Sequence, residues 1–454
     1  MLPHPPLIVP EVGRGEERQI ETTAAAYTRV AQEIAALQPE TVIISSPHAV
    51  LYSDYFHISP GKGAEGSLAQ FRAPQVRFEE QYDEELVRTI ERLADAADFP
   101  AGTLGERTPE LDHGTMVPLY FIRQFYSDFK LVRVGISGLS LEDHYRLGQI
   151  IRRAVSETGR RAVYIASGDL SHKLQRRGPY GFAPEGPQYD ERVMDVCARA
   201  AFGKLFDFDA AFCERAAECG HRSFVIMAGT LDGMAVEAEQ LSHEDVTGVG
   251  YGVCTFRPTE PDDSRRFLEQ RQKSEEARLT ENRGACDPWV QLAWRSVESY
   301  VCHHKIMAVP DGLPAALTET RAGAFVSIHK QGNLRGCIGT IAPTRSSLAE
   351  EIIHNAVSAS TRDPRFRPIR PDELKLLEIS VDVLGEPEDI DSEAELNVKR
   401  YGVIVTKGLR RGLLLPDLEG VDTVEEQVAI ARQKAGIGPD EAVTLQRFEV
   451  VRHT

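Results

Sequence analysis

The sequence predicts an α/β unit with a largely parallel sheet, followed by an α+β unit. Three observations carry the prediction. In the first half, short apolar strands alternate with amphipathic helices. Between Thr259 and Arg283, 13 of 25 residues are charged, and Pro258 and Pro261 stand at the start. Charge this dense reads as a solvated helix or linker joining two folding units. In the second half, hairpins mix with isolated helices, as in compact α+β domains. The expected division is 1–257, a charged linker at 258–285, and 286–454.

Residues 17–37 place Ile20, Ala24, Tyr27, Ala31, Ile34 and Leu37 at helical spacing, and Pro39 ends the run. Val42-Ile43-Ile44, closed by Ser45-Ser46-Pro47, reads as a short buried strand that stops abruptly before His48. A second helix runs through Tyr82, Leu86, Ile90, Leu93 and Ala97. The strand 131–136, the helix 141–155 and the strand 162–166 follow, then helices near 189–202 and 221–231. Two late strands, 235–241 and 249–256, are expected to close the sheet as an antiparallel pair.

In the second unit Pro288 sits in the first turn of a helix that carries Trp289, Leu292, Val297 and Val301 on one face. Residues 324–329, a turn at Gly332-Asn333 and residues 334–340 give a hairpin signal. A helix at 347–359, a strand at 378–384, a hairpin across 402–415, a helix at 424–435 and a strand at 442–451 complete the unit.

Composition excludes several functions. The 454 residues carry a net charge of −17, with 42% hydrophobic and 27% charged residues. Nothing in that balance would offset phosphate repulsion, so nucleic acid is not an expected partner. No apolar run reaches 18 residues, so no membrane span is expected. The first residues lack the basic and apolar regions of a signal peptide. Seven scattered cysteines with no CxxC suit a reducing cytoplasm.

The chemistry is carried by histidines at strand ends. In open α/β sheets ligands bind beyond the carboxyl ends of the strands. His4, His48 and His172 each follow such an end, and Glu218, Cys219 and His221 cluster before the helix at 221–231. Two histidines and one carboxylate form the facial triad of non-heme iron(II) enzymes, and zinc accepts a similar set with one open position. His57, His144, His243, His303, His304, His354 and His453 read as ordinary core or surface residues.

His4-Pro5-Pro6, Ser46-Pro47-His48, Leu111-Asp112-His113-Gly114-Thr115 and Ser167-Gly168-Asp169-Leu170-Ser171-His172 together resemble the class III extradiol dioxygenase (LigB-like) superfamily, which includes the Memo proteins. The resemblance covers roughly residues 1–257. It implies that His4 and His48 are metal ligands, that His172 is the acid/base of oxygen activation, and that His113 lines the substrate pocket. For the third ligand it leaves two residues open. Ring-cleaving members use a glutamate at a helix start, and Memo-like members a cysteine before glycine and arginine. Glu218-Cys219-Gly220-His221-Arg222 offers both, with His221 a third choice. A thiolate ligand would shift preference from iron towards zinc or copper.

The superfamily pattern has a strand leading into its first histidine, whereas three residues precede His4. Either that strand is short or the true start lies upstream, and without it His4 would be loosely held.

Leu334-Arg335-Gly336-Cys337-Ile338-Gly339-Thr340, Arg362-Asp363-Pro364-Arg365-Phe366, Gly412-Leu413-Leu414-Leu415-Pro416 and Gln433-Lys434-Ala435-Gly436 resemble the AMMECR family over about 286–452. That resemblance implies an α+β fold and no specific chemistry. From the residues alone, Arg335, Cys337, Arg362, Asp363 and Arg365 form either an anion or thiol site or a tightly packed hairpin.

The leading expectation is a cytoplasmic, metal-dependent extradiol dioxygenase-like oxidoreductase. It would use Fe(II), with zinc or copper as alternatives, and O2 with a catechol-type or related small hydroxylated substrate. The alternative is a Memo-like metal-binding accessory without ring cleavage. The two resemblances together imply a radical S-adenosylmethionine enzyme as partner, and oligomers are common among such enzymes.

Overall fold

The computed structural model describes residues 1–105, 110–418 and 420–454. The chain divides into two compact units, Met1–Arg271 and Gln272–Thr454.

The first unit is centred on three parallel strands: β1 (Thr41–Ser46), β2 (Lys130–Gly135) and β3 (Ala162–Ala166). Their order is β2-β1-β3, with Val42 opposite both Leu131 and Val163. Every residue of β1 is buried. This is why β1 reads as an unbroken β-branched run, since a central parallel strand has no solvent face. The connections carry helices. Asp83 caps Glu84–Ala96 by accepting the Leu86 N–H, and Ser140 caps Leu141–Thr158 by accepting the Asp143 N–H. The helix expected at 17–37 is Glu21–Leu37 preceded by one 3-10 stretch, and Leu37 faces solvent.

The late strands depart from expectation. Met234–Glu244 and Tyr251–Pro261 pair with each other as a separate two-stranded sheet. Glu21–Leu37 and Glu185–Ala198 pack on this hairpin, so its apolar side is covered by helices. A further hairpin, Gly63–Leu68 with Ala73–Gln81, carries alternating burial on its second strand. Downstream, a helix spans Phe267–Ala285.

The second unit is an antiparallel sheet with helices. Its strand sequence is Asn333–Gly339, Ala324–Lys330, Leu377–Leu384, Thr444–His453, Tyr401–Lys407 and Arg410–Leu414, with Glu388–Ile390 also on Thr444–His453. Pro288–His303 and Leu348–Thr361 bury Leu292, Val297, Ile352 and Ala356 in one core with Val326, Ile328 and Val381. The first hairpin turns at Gln331-Gly332, one residue earlier than expected, because Lys330 pairs with Asn333. Gln331 and Gly332 have φ of 52° and 76°. Two positive φ values make the turn twist with its strands, and glycine takes the second at little cost.

Candidate metal centre

Two strand ends and the chain start build the site. Leu2 lies beside β3 as a parallel bridge to Ser167, donating to Ala166 O at 2.9 Å and accepting from Gly168 N–H at 3.0 Å. This single parallel bridge leads into His4. The His4 N–H donates to Asp169 Oδ1 at 2.7 Å, and its ring Nδ1 is 2.9 Å from Ser167 Oγ. His4 is thereby pinned on two sides and only 2% exposed.

His48 follows β1 by two residues and is exposed, with its Nε2 3.1 Å from His4 Nε2. Cys219 stands just before α2 (His221–Thr230), with Sγ 3.6 Å from His4 Nε2. The ligand atoms of His4, His48 and Cys219 all lie within 4.8 Å of one another. A tetrahedral ion with ~2.05 Å bonds to nitrogen and ~2.3 Å to sulfur needs about 3.4 Å between nitrogens and about 3.6 Å from nitrogen to sulfur. The donor set fits an ion at that scale.

Glu218 faces elsewhere. Its Oε2 accepts the His221 N–H at 2.6 Å, and its backbone bridges Ser171. Neither group of metal-binding donors among the described residues includes it. His221 is engaged at both ring nitrogens, by Tyr189 OH at 3.2 Å and Leu205 O at 2.9 Å.

A second donor group comprises Asp169, His172 and Cys219. His172 Nε2 is 3.8 Å from Asp169 Oδ2, and its ring stacks on Tyr180 at 5.1 Å. Asp169 escaped the sequence reading as a site residue, although it stands inside the quoted Ser167–His172 motif. Burial opposes its ionisation, but His4 and His172 outweigh this and hold the carboxyl below its usual range. Burial pushes the Cys219 thiol well up, with the Asp169 and Glu218 carboxylates adding to it.

His113 opens α1 (His113–Arg123), with its ring 4.0 Å from His48 and 5.3 Å from Phe71. Desolvation by the surrounding protein atoms, then the neighbouring imidazoles, lowers His48 and His113 to about 4, so both are neutral at pH 7. The His48 ring is hemmed in although the residue keeps an open face. Phe71 and Tyr180 add aromatic walls that had no signal in the sequence.

A family model described as the catalytic LigB subunit of aromatic ring-opening dioxygenase matches residues 1–254, and the AMMECR1 model matches residues 290–453. The chain belongs to the LigB family and carries an AMMECR1 domain after it. A protein of Clostridium acetobutylicum is 42% identical over 100% of this chain and 98% of its own length. One from Thermotoga maritima is 53% identical over 37% of this chain and 97% of its own. A crystal structure of an uncharacterised Pyrococcus horikoshii protein covers 36% of this chain and 88% of its own, at 34% identity and a TM-score of 0.34.

In the AMMECR1 domain Cys337, Asp363 and Arg365 come together, while Arg335 bonds elsewhere and Arg362 is apart from them. Arg335 grips Glu373 at 3.1 and 3.0 Å, and donates to Arg367 O at 2.8 Å. Arg365 holds Asp363 through two bonds of 3.0 and 2.7 Å. Asp363 in turn accepts the Cys337 N–H at 2.9 Å, while Ser327 Oγ donates to Cys337 Sγ at 3.2 Å. Arg362 is exposed. Arg365 does act to lower the Cys337 pKa, as a nearby arginine should. Burial is the larger effect and raises it, despite Ser327 and Arg365. Gly336 has a packing reason, since a Cβ there would stand 2.2 Å from Ala359 O.

No helix among the described residues is long and apolar enough to cross a membrane.

Proposed function

We propose that the LigB domain holds a transition-metal ion through His4, His48 and Cys219, the Memo-like alternative of the two donor sets. One observation carries this reading: Cys219 Sγ lies 3.6 Å from His4 Nε2, while Glu218 caps the His221 N–H. A thiolate with two imidazoles favours zinc or copper(I) over the iron(II) triad. The metal dependence of the LigB family supports a metal here. An accessory role beside a radical S-adenosylmethionine enzyme in the cytoplasm is compatible with this donor set.

The extradiol dioxygenase reading, with Fe(II), O2 and a catechol-type substrate, keeps support from His172. That imidazole sits against Asp169 and Cys219, where a side chain can hold and return a proton beside a bound ligand. His113, Phe71 and Tyr180 would flank a small aromatic ring. A bound ion would supply Lewis acidity and orientation.

The test is metal content of anaerobically purified protein, with oxygen uptake on adding catechols. Cys219→Ala is expected to lose metal and Glu218→Gln to keep it, with no ring-opened yellow product from either protein or wild type. Metal loss in Glu218→Gln alone would overturn the assignment. Oxygen uptake abolished by His172→Ala, with metal retained, would establish the dioxygenase reading instead.

A further inference from the structure

The first turn of α1 reaches the imidazole of His4 and the backbone N–H of His48 through hydroxyl groups. Pro118 stands inside this helix, so it has no N–H to give the carbonyl four residues back, that of Gly114. That carbonyl takes the Ser167 hydroxyl instead, at 2.5 Å. Ser167 has one proton and has used it. Its 2.9 Å contact with His4 Nδ1 therefore has the ring nitrogen as donor. His4 is left with its lone pair on Nε2, the atom that faces His48 and Cys219.

The same turn holds His48. Asp112 caps α1, accepting Thr115 N–H at 3.0 Å and Thr115 Oγ1–H at 2.9 Å. It also accepts the Ser46 hydroxyl at 2.6 Å, so Ser46 Oγ can only accept from the His48 N–H, at 3.2 Å. Behind Asp112 stands Arg133, 1% exposed, with Nη1 4.0 Å from Oδ2. The same Nη1 donates to Glu110 O at 2.5 Å, and Nε donates to Ser59 Oγ at 2.8 Å. Gly114 lets the turn come this close, because a Cβ there would meet Ser46 Oγ at 2.4 Å.

We propose that this turn is a positioning device for the metal pair: the Pro118–Gly114–Ser167 chain sets the tautomer of His4, and the Arg133–Asp112–Ser46 chain fixes the strand end that carries His48. The proposal rests on the metal reading above. Groups that orient a ligand's other nitrogen set its tautomer and its basicity.

The experiment reads the apo protein and the Co(II)-titrated protein separately. In apo protein with 15N-labelled histidine, the His4 ring is expected to carry its proton on Nδ1. Ser167→Ala should move part of the population to the Nε2–H form and weaken Co(II) binding about ten-fold or more. Ser46→Ala should weaken Co(II) binding and shift its visible absorption, while leaving the His4 tautomer unchanged. A wild-type proton on Nε2, or a Ser167→Ala protein with unchanged tautomer and affinity, would overturn the proposal. Undiminished Co(II) binding by His4→Ala would remove the metal reading itself, and this proposal with it, whatever the tautomer.

Discussion

At the scale of single residues, the structure separates neighbours that the sequence left level. Glu218 and Cys219 are adjacent, and the extended backbone bridging Ser171 sends consecutive side chains in opposite directions. Only one of them can face His4. Which one does so depends on the register of that bridge, a long-range fact absent from local spacing. Asp363 and Glu373 make the same point, since each took an arginine that read as an open anion site. Glu373 carries a pH prediction. Burial opposes its ionisation, but Arg335, the Arg370 N–H and Lys330 outweigh that and hold it at about 2. A folded pKa below the unfolded value near 4.5 adds stability at higher pH. That stability is present above about 4.5 and is lost as pH falls towards 2. Glu373→Gln is expected to cost about 2 kcal/mol at pH 7, with the gap to wild type closing below pH 4.5. Denaturant unfolding at several pH values checks this, and a pH-independent gap would count against the ion pairs.

At the scale of elements, the helices are readable because their apolar positions keep a 3.6-residue period, and the central parallel strands because they are short, mostly apolar runs. The exceptions have physical causes. The Gln331-Gly332 turn was placed a residue late because pairing of Lys330 with Asn333 sets the loop, and glycine identity alone does not. The Met234–Glu244 and Tyr251–Pro261 pair was attached to the wrong sheet because two-residue periodicity says nothing about the partner. Where elements meet at the site, backbone touches backbone. A Cβ on Gly168 would stand 2.1 Å from Gly220 Cα, next to Cys219. Gly168→Ala is therefore expected to cost about 1–3 kcal/mol from overpacking and to lower metal loading, because the strain falls on the Cys219 segment. Gly284→Ala, with open space around its Cβ, should be near neutral. Equal unfolding midpoints for the two variants would refute the close contact.

At the scale of the whole molecule, each unit closes its own core. Residues 272–454 expressed alone are expected to unfold cooperatively in denaturant. A non-cooperative transition, read by circular dichroism and tryptophan fluorescence together, would show that the AMMECR1 domain needs the rest of the chain. The sequence by itself determined the two-family organisation, the parallel strands and the histidines beyond their ends, since these follow from local pattern and from motifs. Tertiary structure alone decided that Cys219 joins His4 and His48, that Asp169 pairs with His172, and that burial raises the Cys337 thiol. Those outcomes depend on distances between segments up to 215 residues apart, and on desolvation, which no local spacing encodes.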